Sequence, residues 1–207
     1  MISASWSAVA RRMRALTWLA VTIMCMGCAS QENIRDAITA INAEFQKEYE
    51  DILREKGTRV FSANPADTFD AANAAVVSLS MVVRQQSRGV GYLNAEAPAP
   101  LPLTPGEWEK AAAADLPKAR AILRKHLGLV AELFQFEPQG IDTVINVTVV
   151  ETAAGSAVSV TMRMREVAPP KSGLPRREYP PPTAVGIGVD KIFAALAREL
   201  DARRRRS

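Results

Sequence analysis

Cysteine is almost absent from this chain of 207 residues, and both cysteines lie near the amino terminus. Cys25 and Cys28 stand three positions apart, at the end of an apolar run and beside Gly27. A redox pair would need a folded scaffold that lowers the pKa of one thiol, and a zinc site would need two further ligands. The single histidine, His126, is the one other candidate ligand of note. The sequence therefore favours neither a redox pair nor a metal pair.

The chain also lacks an apolar run long enough to cross a bilayer. Arg11, Arg12 and Arg14 precede the uncharged segment ALTWLAVTIMCM at 15–26. About a dozen apolar residues suit the core of an export signal and are too few for a transmembrane helix, which needs ~20. An ordinary secretory signal and an uncleaved anchor stay open at this point. Translation from Met13 stays open too, since it would give a compact signal.

The stretch TIMCMGCAS at 22–30 resembles the cleavage region of a bacterial lipoprotein precursor. In that family a small residue precedes the cysteine at the cleavage site, as Gly27 precedes Cys28 here. The resemblance implies cleavage after Gly27, diacylglycerol on the Cys28 sulfur and acylation of the new amino terminus. Cys25 and Met26 depart from the family pattern, which favours leucine and a small residue at those two positions.

The same resemblance implies a location. Ala29 follows the cysteine, where an aspartate often retains a lipoprotein in the inner membrane. We therefore expect the periplasmic leaflet of the outer membrane, or the cell membrane in an organism with one membrane. Two or more acyl chains make attachment stable, since each buried methylene contributes ~0.8 kcal/mol. The expected partner is membrane lipid, reached through acylated Cys28.

An excess of positive charge is missing from the body of the chain. Removing Arg11, Arg12, Arg14 and the four arginines at 203–206 leaves 19 of the 26 basic residues against 22 acidic ones, a net charge of −3. We therefore expect no nucleic-acid partner, although the pI of the whole sequence is near 9.3.

The basic tail has two interpretations. It consists of Arg203, Arg204, Arg205 and Arg206. In the first interpretation, these arginines would bind an anionic surface such as lipid headgroups, each contributing ~1 kcal/mol. Alternatively, they form a solvated end that complements the dipole of the last helix.

Apolar spacing and turn residues predict alternating helices and strands after the anchor. The first helix starts after Ser30 and ends at Gly57, and its apolar stripe suits packing on its own domain or a coiled-coil arm. Strands are predicted at 58–61, 81–86, 90–97, 141–151 and 157–166. Further helices are predicted at 65–80, from Pro105 with a start or kink at Pro117, and from Val189. Residues 129–136 are ambiguous between helix and strand.

The last two strands indicate how the sheet is covered. Val158, Val160, Met162 and Met164 alternate with Ser159, Thr161, Arg163 and Arg165. One face is therefore apolar and the other wet, and the more apolar strand at 141–151 is expected to be central. The predicted fold is α+β: a small, mostly antiparallel sheet with helices packed on one face, preceded by an amphipathic helix. This order of elements resembles the helix-grip domains of outer-membrane assembly lipoproteins of the BamC kind, and a shared topology does not transmit function.

We divide the chain into four parts. These are a signal peptide at 1–27, a lipid-anchored helix at 28–57, an α+β domain at 58–202 and a basic tail at 203–207. Proline-rich loops are predicted at 97–106 and 168–182, because proline fixes φ and removes a backbone donor. The second loop is expected to continue to 188, with Gly186 and Gly188 loosening the approach to the last helix.

Catalytic signatures are missing as well. There is no G-x-S-x-G, and the glycines at 89–91 and 186–188 do not complete a dinucleotide or P-loop fingerprint. His126 lies near a predicted helix end, where an imidazolium suits the dipole. Acids such as Asp67 and Glu107 lie in predicted first helical turns, where they act as caps. We therefore expect no catalytic residue, no metal and no cofactor, and we interpret the chain as a non-enzyme.

The function that these observations favour is a non-catalytic binding or assembly module of the bacterial envelope, with an envelope protein as a possible partner. A hydrolase of envelope glycan or peptidoglycan is an alternative, and it would need two acids in one cleft, one of them with a raised pKa. A lipid or small-ligand carrier is another, and it would need a dry pocket lined by Met162, Met164 and Phe193. A second basic surface is also hypothesised, formed by Arg163, Arg165, Arg176 and Arg177.

Overall fold

The computed structural model describes residues 30–168, 173–178 and 180–206. Within these ranges the chain forms four α-helices and five strands. In chain order they are α1 Gln31–Lys56, β1 Thr58–Phe61, α2 Pro65–Ser78, β2 Val82–Ser87, β3 Tyr92–Pro98, α3 Pro105–Leu127, β4 Ile141–Thr152, β5 Gly155–Glu166 and α4 Pro182–Arg204. The ambiguous segment after α3 begins with a 3-10 helix, Gly128–Leu133.

The five strands form one open antiparallel sheet in the order β1-β5-β4-β3-β2. Ile145 of β4 lies between Ala95 of β3 and Met162 of β5, and all three side chains are buried. The predicted α+β class is thereby confirmed, and so is the central position of β4. The reason is the one seen in the sequence, since a strand paired on both sides and covered by helices carries apolar residues along most of its length.

Helices cover one face of this sheet and leave the other to solvent. α2 and α4 contact the sheet directly, α1 contacts β1, and α1 and α3 pack against each other and against α4. The predicted alternation in β5 is confirmed, because Val158, Val160, Met162 and Met164 are buried whereas Ser159, Thr161, Arg163 and Arg165 are exposed. A polar network runs over the wet face, where Asn146 Oδ1 accepts hydrogen bonds from Tyr92 and Asn94.

The helix α1 has the cap and the stripe that its sequence predicts. Ser30 Oγ accepts a hydrogen bond from the Asn33 N–H at 3.1 Å, and the helix ends at Gly57. Ile41, Phe45 and other stripe residues are buried in the domain core. The packed helix is therefore the observed arrangement, rather than the coiled-coil arm.

The helix α3 runs without interruption across Pro117. The prediction that a second segment starts there is wrong. Proline removes one main-chain hydrogen bond, but Ala111 before it and Ala119 and Ile122 after it are buried against neighbouring elements. Packing on both sides of the proline holds one helix together.

The helix α4 begins at Pro182, so the prediction of a loop up to residue 188 is wrong. Gly186 and Gly188 lie inside the helix rather than before it. A Cβ atom at Gly188 would lie 2.3 Å from Met162 Sδ, and one at Gly186 would lie 3.8 Å from Ile52. Gly188 lets α4 approach the sheet closely, whereas a Cβ atom at Gly186 would make an ordinary contact. The close packing at Gly188 outweighs the low helix propensity of glycine.

Candidate binding groove at the free edge of β5

Strand β1 is much shorter than β5, and the difference leaves part of the sheet edge uncovered. β1 pairs only with residues 156–159 of β5. The next main-chain group of β5 that points away from β4 is the Val160 N–H, which donates to Gly57 O at 2.7 Å. At the other end the Glu166 N–H donates to Arg177 O at 3.2 Å. The stretch between these two hydrogen bonds, residues 161–165, is called the free edge of β5 here.

Two residues of the free edge present unpaired main-chain groups. Main-chain groups alternate in direction along a strand, and the Val160 N–H points away from β4. The N–H and C=O groups of Met162 and Met164 therefore also point away from β4. Within the part of the chain that the structure describes, these four groups have no hydrogen-bond partner. The free edge thus offers two donors and two acceptors, the pattern that a further extended chain satisfies.

A groove of about 510 Å³ lies between the free edge and α1. Gln46 and Tyr49 of α1 form its opposite wall, and Pro180 and Val185 line it near the start of α4. Gln46 is exposed, whereas Tyr49 keeps only 9% of its surface exposed. The Tyr49 hydroxyl donates to Pro180 O at 2.5 Å, so the groove walls are joined to each other.

Tyr49 remains a hydrogen-bond donor because of its surroundings. Burial, followed by the negative charges of Asp115 and Glu48, raises the pKa of Tyr49 above its ordinary value of 10.0. A protonated phenol keeps donating to the Pro180 carbonyl. The tyrosine is therefore a fixed wall of the groove and not a titrating group.

One positive charge on the rim of the groove is unmatched. Arg163 and Arg165 both line the groove and both are exposed on the wet face. Arg165 lies 3.6 Å from a carboxylate oxygen of Glu96. Arg163 forms no ion pair with any residue that the structure describes. Glu178 lines the groove as well, and its main-chain N–H donates to Asn42 Oδ1 at 3.1 Å.

The hypothesised surface of four arginines is not formed. Arg163 and Arg165 lie on the wet face. Arg177 instead donates to Glu166 Oε1 at 2.9 and 3.1 Å, and it lines a small cavity with Trp108 on the helical side of the sheet. The hypothesis is wrong because the segment at 173–178 turns Arg177 toward the helices.

The structure contains one acid of the kind that the hydrolase interpretation needs. Burial raises the pKa of Asp115 above its ordinary value, and the charge of Glu48 adds to this. However, the Asp115 carboxylate accepts hydrogen bonds from the Thr183 N–H at 2.8 Å and from Thr183 Oγ1 at 2.9 Å, and Glu48 pairs with Lys118. Neither acid lines the groove. Their contacts assign them to the packing of α1, α3 and α4.

The other predicted caps occupy the places that the sequence indicates. Asn64 and Asp67 hydrogen-bond at the start of α2, and Glu107 completes a capping box with Thr104 at the start of α3. His126 lies in the last turn of α3. Helix termini explain these polar groups without assigning chemistry to them.

The aromatic residues Trp108 and Phe193 belong to the core. Trp108 is 4% exposed, and its Nε1–H donates to Phe136 O at 3.4 Å. Phe193 is fully buried and stacks on Phe61 at 6.3 Å between ring centroids. Met162 touches the groove but Phe193 does not line it. The dry pocket that would favour a carrier is therefore not the observed groove.

The remaining predicted site residues lie at the two ends of the chain. Gly27 and Cys28 lie outside the described residues, so cleavage and lipidation stay predictions. Arg203 and Arg204 form the last turn of α4, where Arg204 donates to Ser62 O at 3.1 Å and to Ser62 Oγ at 2.9 Å. Arg205 and Arg206 follow the helix and are exposed. One of the four arginines is thus bound to its own domain, and binding of an anionic surface by the tail stays a prediction.

Sequence reasoning missed the groove although part of the signal was present. Gln46, Tyr49, Pro180 and Val185 carry no motif that marks them as neighbours. The predicted lengths of β1 and β5, four and ten residues, already implied that part of β5 would lack a partner if the two strands paired. That pairing was not predicted, because neither strand carries a local sequence pattern that identifies a partner strand far away in the chain.

Comparisons with family models, with curated proteins and with solved structures find no match to this chain. Of the helices within the described ranges, none combines the length and the apolar character that a membrane crossing requires. The described residues also contain no group of three or more His, Cys, Asp or Glu side chains that would hold a metal ion.

Proposed function

We propose that this protein is a membrane-anchored lipoprotein of the bacterial envelope that acts as a non-catalytic binding module, with the groove beside β5 as its binding site. The observation that carries the proposal is the free edge of β5, where Met162 and Met164 direct into the groove four main-chain groups that are unpaired among the described residues. Unpaired strand edges are ready templates for pairing with another chain, and folded proteins normally cover or block them. An open edge inside a walled groove suits regulated binding.

The lipid anchor in this proposal is supported by the sequence around Cys28 and by the direction of α1. Ser30 caps α1 only two residues after Cys28. Lys118 of α3 contacts both Glu48 and the Phe45 ring of α1, and Asp115 lies near Tyr49. From Asp115 to Lys118 the residue numbers on α3 increase, whereas those of the partners on α1 decrease from Tyr49 to Phe45. The two helices are therefore antiparallel, and the end of α3 lies on the same side of the domain as the start of α1.

An exposed apolar corner lies at this end. The 3-10 helix after α3 exposes Leu129 by 79%, Val130 by 43% and Leu133 by 80%. The last turn of α3 carries Arg124, Lys125 and His126 beside it. Apolar side chains flanked by basic ones suit contact with the interfacial region of a bilayer. We infer that this corner faces the membrane to which Cys28 is attached.

The proposed anchor is tested by the intact mass of the protein extracted from membranes, beside that of a Cys28→Ala variant. We expect a mature chain that starts at Cys28 and carries the mass of its acyl chains, because lipidation requires the cysteine sulfur. The variant should lack both the acyl mass and the cleavage. A mature mass without acyl chains, or a chain that starts at another residue, would contradict the anchor and leave the groove without a membrane role.

A further inference from the structure

We propose that the free edge of β5 binds a short, extended, acidic segment of a partner protein as an additional strand of the sheet. The inference rests on the proposed binding function and specifies the chemistry of the partner. It further states that the bound segment has a small apolar residue, then Asp or Glu, then another small apolar residue.

The main-chain groups identify the ligand as a peptide. Strand addition requires donors and acceptors spaced two residues apart along an edge, and Met162 and Met164 supply them. A small anion or a lipid headgroup would use the arginines of the rim but not this repeated pattern. Backbone pairing gives affinity without regard to sequence, and the adjacent side chains then set the preference.

The two ends of the free edge limit the length of the guest. Val160 is bound to Gly57 at one end and Glu166 to Arg177 at the other. The distance along the strand from Val160 to Glu166 is about 20 Å, at ~3.3 Å per residue. About five residues of an extended chain fit this interval. The walls of the 510 Å³ groove keep such a segment beside the edge.

The same two ends disfavour a second copy of this protein as the occupant. Two β5 strands that paired edge to edge would each bring a β1 strand, which already occupies residues 156–159 in the plane of the sheet. The segment at Arg177 blocks the opposite end. A short flexible segment avoids both obstacles, whereas a folded sheet edge does not.

Side-chain alternation then predicts the sequence of the segment. Residues directly opposite each other in a sheet point to the same face. The guest residue opposite Arg163 therefore lies on the wet face beside the unmatched guanidinium, where Asp or Glu is favoured. The residues opposite Met162 and Met164 point inward, toward Tyr49 and Val185, where the walls leave room for small apolar side chains. Arg165 shares the Glu96 carboxylate with Arg84, at 3.6 and 3.2 Å, so Arg163 is the arginine of the rim that has no carboxylate partner among the described residues.

The first test uses an array of five-residue peptides, randomised at the three central positions and probed with the purified full chain in detergent. We expect retention of peptides with Asp or Glu in the middle position and without proline. Arg163→Glu should reduce this retention at least tenfold and favour Lys or Arg instead. Arg198→Glu changes the charge equally at an exposed position on α4, about 20 Å along the helix from Val185, and should leave retention unchanged.

The second test follows the main-chain amides of ¹⁵N-labelled full chain by NMR. On addition of a retained peptide, the Met162 and Met164 amides should become protected from exchange, because they gain hydrogen bonds. The same peptide N-methylated at the two amides that face β5 should not bind. The two amides could instead be protected without peptide, to an extent that increases with protein concentration. That result would identify a second copy as the occupant and overturn the proposal.

The outcomes separate this inference from the proposed function. An array that retains no peptide, or equal retention by wild type and Arg163→Glu, would overturn the acidic-peptide inference. The lipid anchor would still be judged by the mass of the Cys28→Ala variant. If wild type extracted from membranes carries no acyl mass but still binds peptides, the inference stands and the anchor is overturned.

Discussion

Gly91, which follows the turn between β2 and β3, shows how one residue allows two strands to approach. Its φ is +70°, and a Cβ atom there would lie 2.2 Å from Val149 O. The Val149 N–H also donates to Gly91 O at 2.8 Å. A glycine beside a strand is typical of a bulge or of a close approach of two backbones, and the close approach is observed here. Any side chain would meet both the backbone strain and the carbonyl.

We therefore expect Gly91→Ala to lower the free energy of unfolding by at least about 1–3 kcal/mol, since positive φ alone carries a strain of that order. Gly89→Ala is the matched control two residues earlier, where a Cβ atom meets open space and φ is not positive. Its effect should stay within about 0.5 kcal/mol. Urea unfolding followed by circular dichroism measures both values. Equal destabilisation by the two variants would show that the contact with Val149 is not the cause.

At the scale of the elements, the start of α3 is held by one carboxylate. Glu107 Oε2 accepts hydrogen bonds from the Thr104 N–H at 2.7 Å and from Lys191 Nζ of α4 at 2.6 Å. The bond from Lys191, followed by the one from the Thr104 main chain, lowers the pKa of Glu107 from 4.5 to about 2. The capping box was predictable from residues 104–107, whereas Lys191 is 84 positions away and became its partner only through packing.

Glu107→Gln should lower the free energy of unfolding at pH 7 by about 0.5–2 kcal/mol, the usual cost of losing a helix cap. A carboxylate whose pKa is lowered by folding stabilises the fold at pH values above its unfolded pKa of 4.5. This contribution is lost as the pH falls toward 2. The difference between wild type and variant should therefore shrink between pH 4.5 and 2. Urea unfolding at several pH values measures it.

The control for this experiment is Glu109→Gln, an exposed acid one position beyond the buried Trp108. Its stability should change by less than about 0.5 kcal/mol at every pH. If the difference for Glu107→Gln stayed constant between pH 7 and 2, ionised Glu107 would not be the source of the stabilisation.

At the scale of the whole molecule, the two ends of the domain have different surroundings in the proposed membrane arrangement. Leu129 follows the end of α3, on the side of the domain where α1 starts. Val90 lies at the opposite end, because Tyr92, Thr148, Ser159 and Thr58 align across the sheet and Thr58 follows the end of α1. Both side chains are apolar and similarly exposed, at 79% and 74%. They form a matched pair for testing which end meets lipid.

Residues 29–207 contain no cysteine, so Leu129→Cys and Val90→Cys each accept a single bimane label. In proteoliposomes, brominated lipids should quench the label at position 129 at least twice as strongly as the label at position 90. The reason is that the corner with Leu129 reaches the bilayer interface, while Val90 points away. Equal quenching at the two positions would contradict the orientation of the domain on the membrane.

The α+β class, most element boundaries, the start of α1 after Ser30, the first-turn acids Asp67 and Glu107 and the wet and dry faces of β5 were predictable from the sequence alone. These features depend on residues within a few positions of one another, because capping, alternation and helical spacing are local. The sequence did not predict that α4 begins at Pro182, since the close contact of Gly188 with Met162 compensates for weak helix formers.

The position of the groove depends on how distant elements of the chain pack together. The free edge of β5 exists because β1 begins only at Thr58, directly after α1 has ended, and pairs with residues about a hundred positions away. Its walls come from α1 and from the start of α4, and Tyr49 and Pro180 meet across 131 positions. No local pattern encodes such distances, since they result from how whole elements pack. The alternation in β5 predicted that Arg163 is exposed, and the fold places this arginine on the rim of the groove.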